Sequence, residues 1–251
     1  MSLIKMILFK QWSSFMLIIN NICKYFGKIK AVDGVSLTFD KNETVVLLGE
    51  NGAGKSTLFK IISGFWEADS GEVLFENENI KNIREKYLQN IGYVPEISAL
   101  YGEMTMLEFL NFSADLKKMK TDQKFENIKK MLKLLELQNV IFQPLGTLSK
   151  GFKKRAELAA AMLAMPKILL LDEPTEGLDP VQKESMRQII KDYAKDNLVI
   201  ISTHALEDVD AMAQRVLLMH QGKMAADTKF AKFKKTAPES LLASFKKITG
   251  E

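Results

Sequence analysis

Val45 to Thr57 reads VVLLGENGAGKST. Four apolar residues make a buried-strand run, and three glycines, a lysine and two hydroxyls then crowd into the nine positions from Gly49 to Thr57. Glycines at such density let the chain turn tightly and bring bare backbone N–H groups to one point, and a point of that kind at a helix start attracts anions. Gly49, Gly54, Lys55 and Ser56 stand at G-x-x-x-x-G-K-[ST] offsets, between the apolar run and a helical pattern from Lys55 to Ser63. That is the context a phosphate-binding loop requires. Lys55 is placed to bridge β- and γ-phosphates and Ser56 to ligate Mg²⁺, so the ligand expected is a nucleoside triphosphate. A glycine turn without a ligand accounts for the glycines but not for Lys55 and Ser56 at those offsets.

Outward from this loop, β-rich apolar runs recur at Met16 to Ile22, Val35 to Phe39, Thr44 to Leu48, Ile168 to Leu171, Leu198 to Ser202 and Val216 to Met219. Helical patterns lie between them at Lys153 to Met165, Pro180 to Lys195 and Leu206 to Ala213. Alternation of this sort predicts an α/β fold with a mostly parallel sheet covered on both faces. From Glu103 to Val140 there is no strand-like run, only helical spacing (Leu107, Leu110, Ala114; Ile128, Leu132, Leu135), which predicts an all-helical insertion. The lysine-dotted stretch Lys229 to Lys235 reads as a solvated loop.

Two further strand ends carry chemistry. Ile168 to Glu173 (ILLLDE) delivers paired carboxylates, Asp172 suited to a Mg²⁺ shell and Glu173 to deprotonating a water aimed at the γ-phosphate. Ile200 to His204 (IISTH) ends on one of only two histidines. A histidine after a strand is often structural, but the carboxyl edge of a parallel sheet is where ligands bind, so His204 is a candidate donor to the γ-phosphate. Upstream of Asp172, LSKGFKKR (Leu148 to Arg155) reads by itself as a helix start with Ser149 as N-cap.

Bulk composition sets outer bounds. The 251 residues, 47% hydrophobic, are enough for a globular domain with a substantial core, and a formal charge of +4 does not argue for a nucleic-acid partner. The single cysteine, Cys23, excludes an internal disulfide and any multi-cysteine metal site. In the first 19 residues Lys5 and Lys10 interrupt the apolar run, against both a spanning helix and a cleaved leader. Ile4, Ile7, Leu8 and Trp12 share a helical face, so an amphipathic arm over residues 1–15, a loosely docked arm, or a working domain that begins near Met16 are the readings left.

These motifs, taken in order, resemble the nucleotide-binding subunit of ATP-binding cassette (ABC) transporters over nearly the whole chain from about Leu17 onward. GENGAGKST matches the Walker A motif, ILLLDEP Walker B, EGLDP the D-loop, STH the switch histidine, and LSKGF the signature usually written LSGGQ. The resemblance implies a P-loop NTPase (RecA-like) core with an antiparallel β part and a helical subdomain at about 97–165 within an ATPase domain of 16–251. It implies that Phe26 stacks on adenine and that Gly49, Asn51, Gly52, Ala53, Gly54, Lys55, Ser56 and Thr57 cradle the phosphates. Glu173 becomes the general base, His204 the γ-phosphate sensor, and Ser56, Asp172 and Glu96 the Mg²⁺ ligands. Ser149 and Gly151 would close over ATP held by a second subunit, with Asp179 across that interface.

Two departures stand out. Glu96 occupies a place where the family usually has glutamine, which adds a negative charge near Asp172 and Glu173, and in the signature Lys150 and Phe152 replace a glycine and a glutamine. The stretches YVPEISALYGEMTMLEFLNF and ESLLASFKKITGE resemble the branch serving ABC-2-type exporters. The resulting expectation is an ATPase that dimerises with a copy or paralogue around two ATP molecules, bound peripherally on the cytoplasmic face to a permease on a separate chain, with no nucleic acid. The alternative is a non-transport ABC ATPase acting on a soluble or nucleic-acid assembly. A third reading, a nucleotide-binding scaffold with little turnover, follows from Glu96 and Phe152.

Overall fold

A computed structural model of the chain describes residues 16–97, 100–237 and 240–250. The expectations for residues 1–15 lie outside the described residues.

A six-stranded sheet forms the centre, in the order β10-β9-β3-β8-β7-β6. Its members are β3 (Thr44–Leu48), β6 (Ile91–Val94), β7 (Ile168–Asp172), β8 (Leu198–Thr203), β9 (Arg215–His220) and β10 (Lys223–Lys229). All neighbours pair in parallel except β10, which runs antiparallel to β9 at the edge. The fully buried strands β3, β7 and β8 are continuous apolar runs, as a sheet covered on both faces requires. Because side chains alternate across a sheet, Val45 and Leu47 enter one core while Val46 and Leu48 enter another.

The first of these cores lies under an antiparallel sheet of order β2-β1-β4-β5, built from β1 (Leu17–Phe26), β2 (Ile29–Phe39), β4 (Ser70–Phe75) and the short β5 (Glu78–Asn79). It also holds α1 (Lys55–Ile62) and the buried Tyr87 of α2 (Arg84–Asn90), whose hydroxyl donates to Ile62 O at 2.6 Å. The second core takes the helical insertion: α3 (Met106–Leu116), α4 (Thr121–Leu134) and α5 (Lys150–Met162). A capping box starts α3, with Thr105 and Glu108 satisfying each other's backbone N–H groups. The remaining helices are α6 (Pro180–Ala194), α7 (Leu206–Met212), α8 (Phe230–Thr236) and α9 (Leu241–Thr249). Among the described residues no helix is long and apolar enough to cross a membrane.

The architecture is the expected α/β P-loop NTPase core with an antiparallel β part and a helical insertion. One reading is corrected. Lys229 to Lys235 is not a solvated loop, since Phe230 to Thr236 forms α8 with Phe233 fully buried. Phe230 and Phe233, three apart, share the inner face of that turn and the lysines stay outside. The helix carrying the signature begins at Lys150, three residues earlier than its alanine-rich pattern suggests.

Candidate functional site

Three strand ends meet on one edge. Leu48, the last residue of β3, stands opposite Thr203 of β8, and Asp172 at the end of β7 stands opposite Ser202. The segments that follow, Gly49 to Thr57, Glu173 and His204, therefore share the carboxyl side of the sheet. There they line a cleft of about 680 Å³.

The loop reaches its shape through contacts only glycine permits. Gly54, the N-cap of α1, has φ 106°, and a Cβ there would stand 2.1 Å from Ala31 O. The turn between β9 and β10 braces the same loop: the Gly222 N–H donates to Ala53 O at 3.0 Å, and Gly222 O accepts from the Asp33 N–H at 2.8 Å. Lys55 is 6% exposed and curls back over the loop, with Nζ donating to Gly49 O (2.7 Å) and Glu50 O (2.9 Å). Burial pushes its pKa below the ordinary lysine range, and the negative charges of Glu173, Asp172, Glu96 and Glu50 oppose that shift.

The carboxylates are held differently. Asp172 is buried, and its Oδ1 accepts from Ser202 Oγ while its buried Oδ2 has no hydrogen-bond partner. A buried carboxylate oxygen left unpaired is costly unless a cation completes it, so Asp172 fits a hard cation. Ser56 and Glu96 line the same cleft with oxygen donors of the type Mg²⁺ takes. Glu173 sits at φ 49°, a left-handed conformation that costs a non-glycine residue about 1–2 kcal/mol. That backbone turn presents its side chain to two donors: Thr203 Oγ1 at 3.1 Å on Oε2, and His204 Nδ1 at 2.8 Å on Oε1.

Of the residues expected at the site, Asn51, Gly52, Gly54, Lys55, Ser56, Thr57, Glu96, Asp172, Glu173 and His204 line the cleft. Gly49 and Ala53 are buried behind it. Phe26, at the end of β1, is outside the lining, with its ring edge-on to Trp66 at 5.4 Å between centroids. Ser149, Gly151 and Asp179 are also outside it. Ser149 caps α5, accepting from the Phe152 N–H at 3.4 Å, and Asp179 caps α6, accepting from the Gln182 N–H at 2.8 Å.

Sequence reading missed two contributors. Ile29, Lys30 and Ala31 of β2 and the Gln221-Gly222 turn form the opposite wall of the cleft, and a Gln-Gly turn after an apolar run was the available signal. Asp208, 1% exposed, was not legible at all. It accepts from Thr175 Oγ1 (2.5 Å), from Arg187 Nε and Nη2 (2.9 and 2.6 Å) and from Thr203 Oγ1 (3.4 Å), which joins the segment after Glu173 to α6 and β8.

A strand-loop-helix with Lys55 over its carbonyls, in one cleft with Asp172 and Glu173, has the parts that nucleoside triphosphate hydrolysis calls for. The family model described as ABC transporter matches residues 32–176, from β2 through the phosphate loop to the segment just beyond Glu173. This chain belongs to the ABC transporter family. It is 36% identical over 212 residues to an uncharacterized ABC transporter ATP-binding protein, YxlF, of Bacillus subtilis, covering 84% of this chain and 70% of that one. Over 217 residues it is 31% identical to the bacitracin transport ATP-binding protein BcrA of Bacillus licheniformis, covering 86% and 70%. The fold superposes with a TM-score of 0.76 and 25% identity on cbiO1 from Clostridium perfringens, described as part of the ABC transporter complex cbiONQ, over 92% of this chain and 98% of that one. As an ABC transporter ATP-binding protein, the chain binds ATP and is an ATPase whose turnover is coupled to transport.

Proposed function

We propose that this ATPase dimerises head to tail around two ATP molecules and drives export through a permease on a separate chain, bound peripherally on the cytoplasmic face of the membrane. The observation that carries the ATPase part of this reading is the convergence of Lys55, the unpaired Oδ2 of Asp172 and the Glu173–His204 pair on one sheet edge.

Each residue has a part in this scheme. Lys55 leaves the Gly49 and Glu50 carbonyls to meet the β- and γ-phosphates, so its charge is held ready at the loop. Glu173 takes a proton from the attacking water, and its left-handed backbone aims the carboxylate into the cleft. With Nδ1 donating to Glu173, His204 can donate to the γ-phosphate from its second ring nitrogen only as the imidazolium. Ser56, Asp172 and Glu96 would hold Mg²⁺, which when bound polarises the phosphoryl oxygens as a Lewis acid. Phe26, which does not line the cleft itself, would offer its exposed ring to an adenine that extends beyond the lining.

Dimerisation is supported by Ser149, Gly151 and Asp179, which the family motif assigns to ATP although they do not line the cleft of their own chain. A permease partner is supported by the description of cbiO1 as one part of a complex. A second cavity, about 510 Å³ and walled by Phe65, Leu88, Val94, Leu100, Phe109 and Leu116 where the two cores adjoin, offers an apolar seat for such a partner. Export is supported by BcrA, a transport protein for bacitracin by its name, and by the ABC-2-like stretches.

The test is a pull-down of tagged Glu173→Gln chain from detergent-solubilised cells with Mg-ATP. Stoichiometric recovery of a polytopic membrane protein together with a second ATP-binding chain is expected. Recovery only of soluble proteins or nucleic acid would overturn the permease reading in favour of a non-transport ATPase.

A further inference from the structure

Buried tyrosines in this chain pair their hydroxyls, with one exception. Tyr87 donates to Ile62 O and Tyr193 to Pro166 O, both at 2.6 Å, and each bond ties a helix to a neighbouring segment. Tyr93 of β6 differs. Its hydroxyl oxygen is equally enclosed yet has no hydrogen-bond partner among the described residues, although a buried tyrosine normally finds one.

The strand register shows what this hydroxyl is near. Tyr93 stands opposite Leu170 of β7, and both pack on the core beneath the antiparallel sheet. Leu170 and Asp172 are two apart on one strand, so their side chains leave the same face. Tyr93 is therefore the diagonal neighbour of Asp172 across two adjacent strands, a separation that an aromatic side chain can span. The phenol responds to that placement: burial first, then the negative charges of Asp172 and Glu96, hold its pKa above the ordinary tyrosine range. The residue also lines the second cavity, but the hydroxyl oxygen itself has no access to solvent.

Asp172 has the matching defect. Ser202 Oγ donates to its Oδ1, while its Oδ2 is enclosed and unpaired. A donor without an acceptor and an acceptor without a donor thus lie on one face of neighbouring strands, and each lowers stability. Phenylalanine at position 93 would fill almost the same space without that penalty, so packing does not account for the hydroxyl.

We propose that Tyr93 is a positioning residue for the divalent cation of the site: its O–H donates to the Oδ2 side of Asp172 and fixes the direction of that carboxylate when the cation is bound. A carboxylate oxygen carries two lone pairs, so Oδ2 can face a cation with one and accept from the phenol with the other. Ligating carboxylates are commonly held by a second group in this way. The inference rests on the reading of Asp172 as a cation ligand. Tyr93 touches neither cation nor nucleotide in this scheme and acts through Asp172.

The test is equilibrium binding of ATP to the full chain in saturating Mn²⁺, as the probe cation, and in EDTA, with Glu173→Gln as the background so that nucleotide is not consumed. The gain in ATP affinity on adding Mn²⁺ is expected to fall about 10-fold in Tyr93→Phe, with affinity in EDTA unchanged. The nucleotide-free Tyr93→Phe chain should melt at the same temperature or higher, because an unpaired buried hydroxyl has been removed. Tyr193→Phe is the control with the opposite signature: it loses a formed hydrogen bond, so it should melt lower and keep the full Mn²⁺ gain. Asp172→Asn tests the underlying reading. A full Mn²⁺ gain in Tyr93→Phe, with a reduced one in Asp172→Asn, overturns the proposal. A fall in melting temperature like that of Tyr193→Phe marks the Tyr93 hydroxyl as structural and overturns it too. If Asp172→Asn also keeps the full gain, the reading of Asp172 fails first and for a different reason.

Discussion

His204 Nδ1 lies 2.8 Å from Glu173 Oε1, and the two residues follow the ends of neighbouring strands β8 and β7. The pair places the proposed base and its orienting partner on one sheet edge. Glu173→Gln keeps the side-chain shape and an acceptor for Thr203 but removes the basic oxygen. Steady-state turnover is expected to fall about 100-fold or more, while equilibrium binding of ATP is retained. Equal turnover in the two proteins would remove Glu173 from the role of base.

Lys55 gives a pH dependence. Burial lowers its pKa in the folded chain below the ordinary lysine value of 10.5. Between the lowered value and 10.5 the unfolded chain binds more protons at this site, so Lys55 makes the ATP-free protein more stable as pH rises through that window. Lys55→Met should abolish this contribution, seen as a flatter alkaline stability profile in urea titrations, and should also abolish ATP binding. An unchanged profile would mean that the ammonium is not desolvated.

Glu96 adds a further carboxylate to the cleft that Asp172, Glu173 and Glu176 also line. Charge count raises affinity for hard cations, so Glu96→Gln is expected to raise the Mg²⁺ concentration for half-maximal turnover about 3- to 10-fold. Turnover titrated with Mg²⁺ at saturating ATP checks this. No change would place the Glu96 carboxylate outside the metal shell.

Gly151 tests the second subunit. A Cβ there would stand 2.7 Å from the end of the Gln182 side chain, which is flexible and can yield, so Gly151→Ala should fold with an unchanged melting temperature. If the start of α5 packs on nucleotide held by a partner chain, the variant should lose ATP-dependent dimerisation in light scattering and about 10-fold or more of its turnover. Retention of both would count against the sandwich dimer.

Asp208 carries a structural prediction. It is 1% exposed and pairs with Arg187, itself 13% exposed, in a network with Thr175 and Thr203. Asp208→Ala leaves the largely enclosed Arg187 guanidinium with only the exposed Glu207 carboxylate at 3.9 Å and should cost about 3 kcal/mol of stability, read by chemical denaturation. Arg187→Met combined with Asp208→Ala should recover part of that loss, because the double variant leaves no unpaired charge.

The parts legible in the sequence were those with local signals. The phosphate loop, the three fully buried strands and the carboxylates at their ends follow from apolar runs and fixed offsets, and each stands where the reading put it. β10 escaped because it is an edge strand in which half-buried and exposed residues alternate (KMAADTK), so it offers no apolar run. The helix α8 hid behind its lysines, although Phe230 and Phe233 three apart were a visible clue. The Asp208–Arg187 pair had no signal, since its partners are 21 residues apart and only tertiary packing joins them.

The alternation along β3 has a consequence for how this molecule can breathe. Val45 faces the interior beneath the antiparallel sheet and Val46 the interior beneath the helical insertion, so one peptide bond separates two independently packed regions. The central sheet is then a partition, and either side can loosen while the other stays ordered. Val45→Ala should speed amide exchange in β1 and β4, whereas Val46→Ala should speed it in α3 and α5. Adjacent residues become separate handles on opposite halves of the protein.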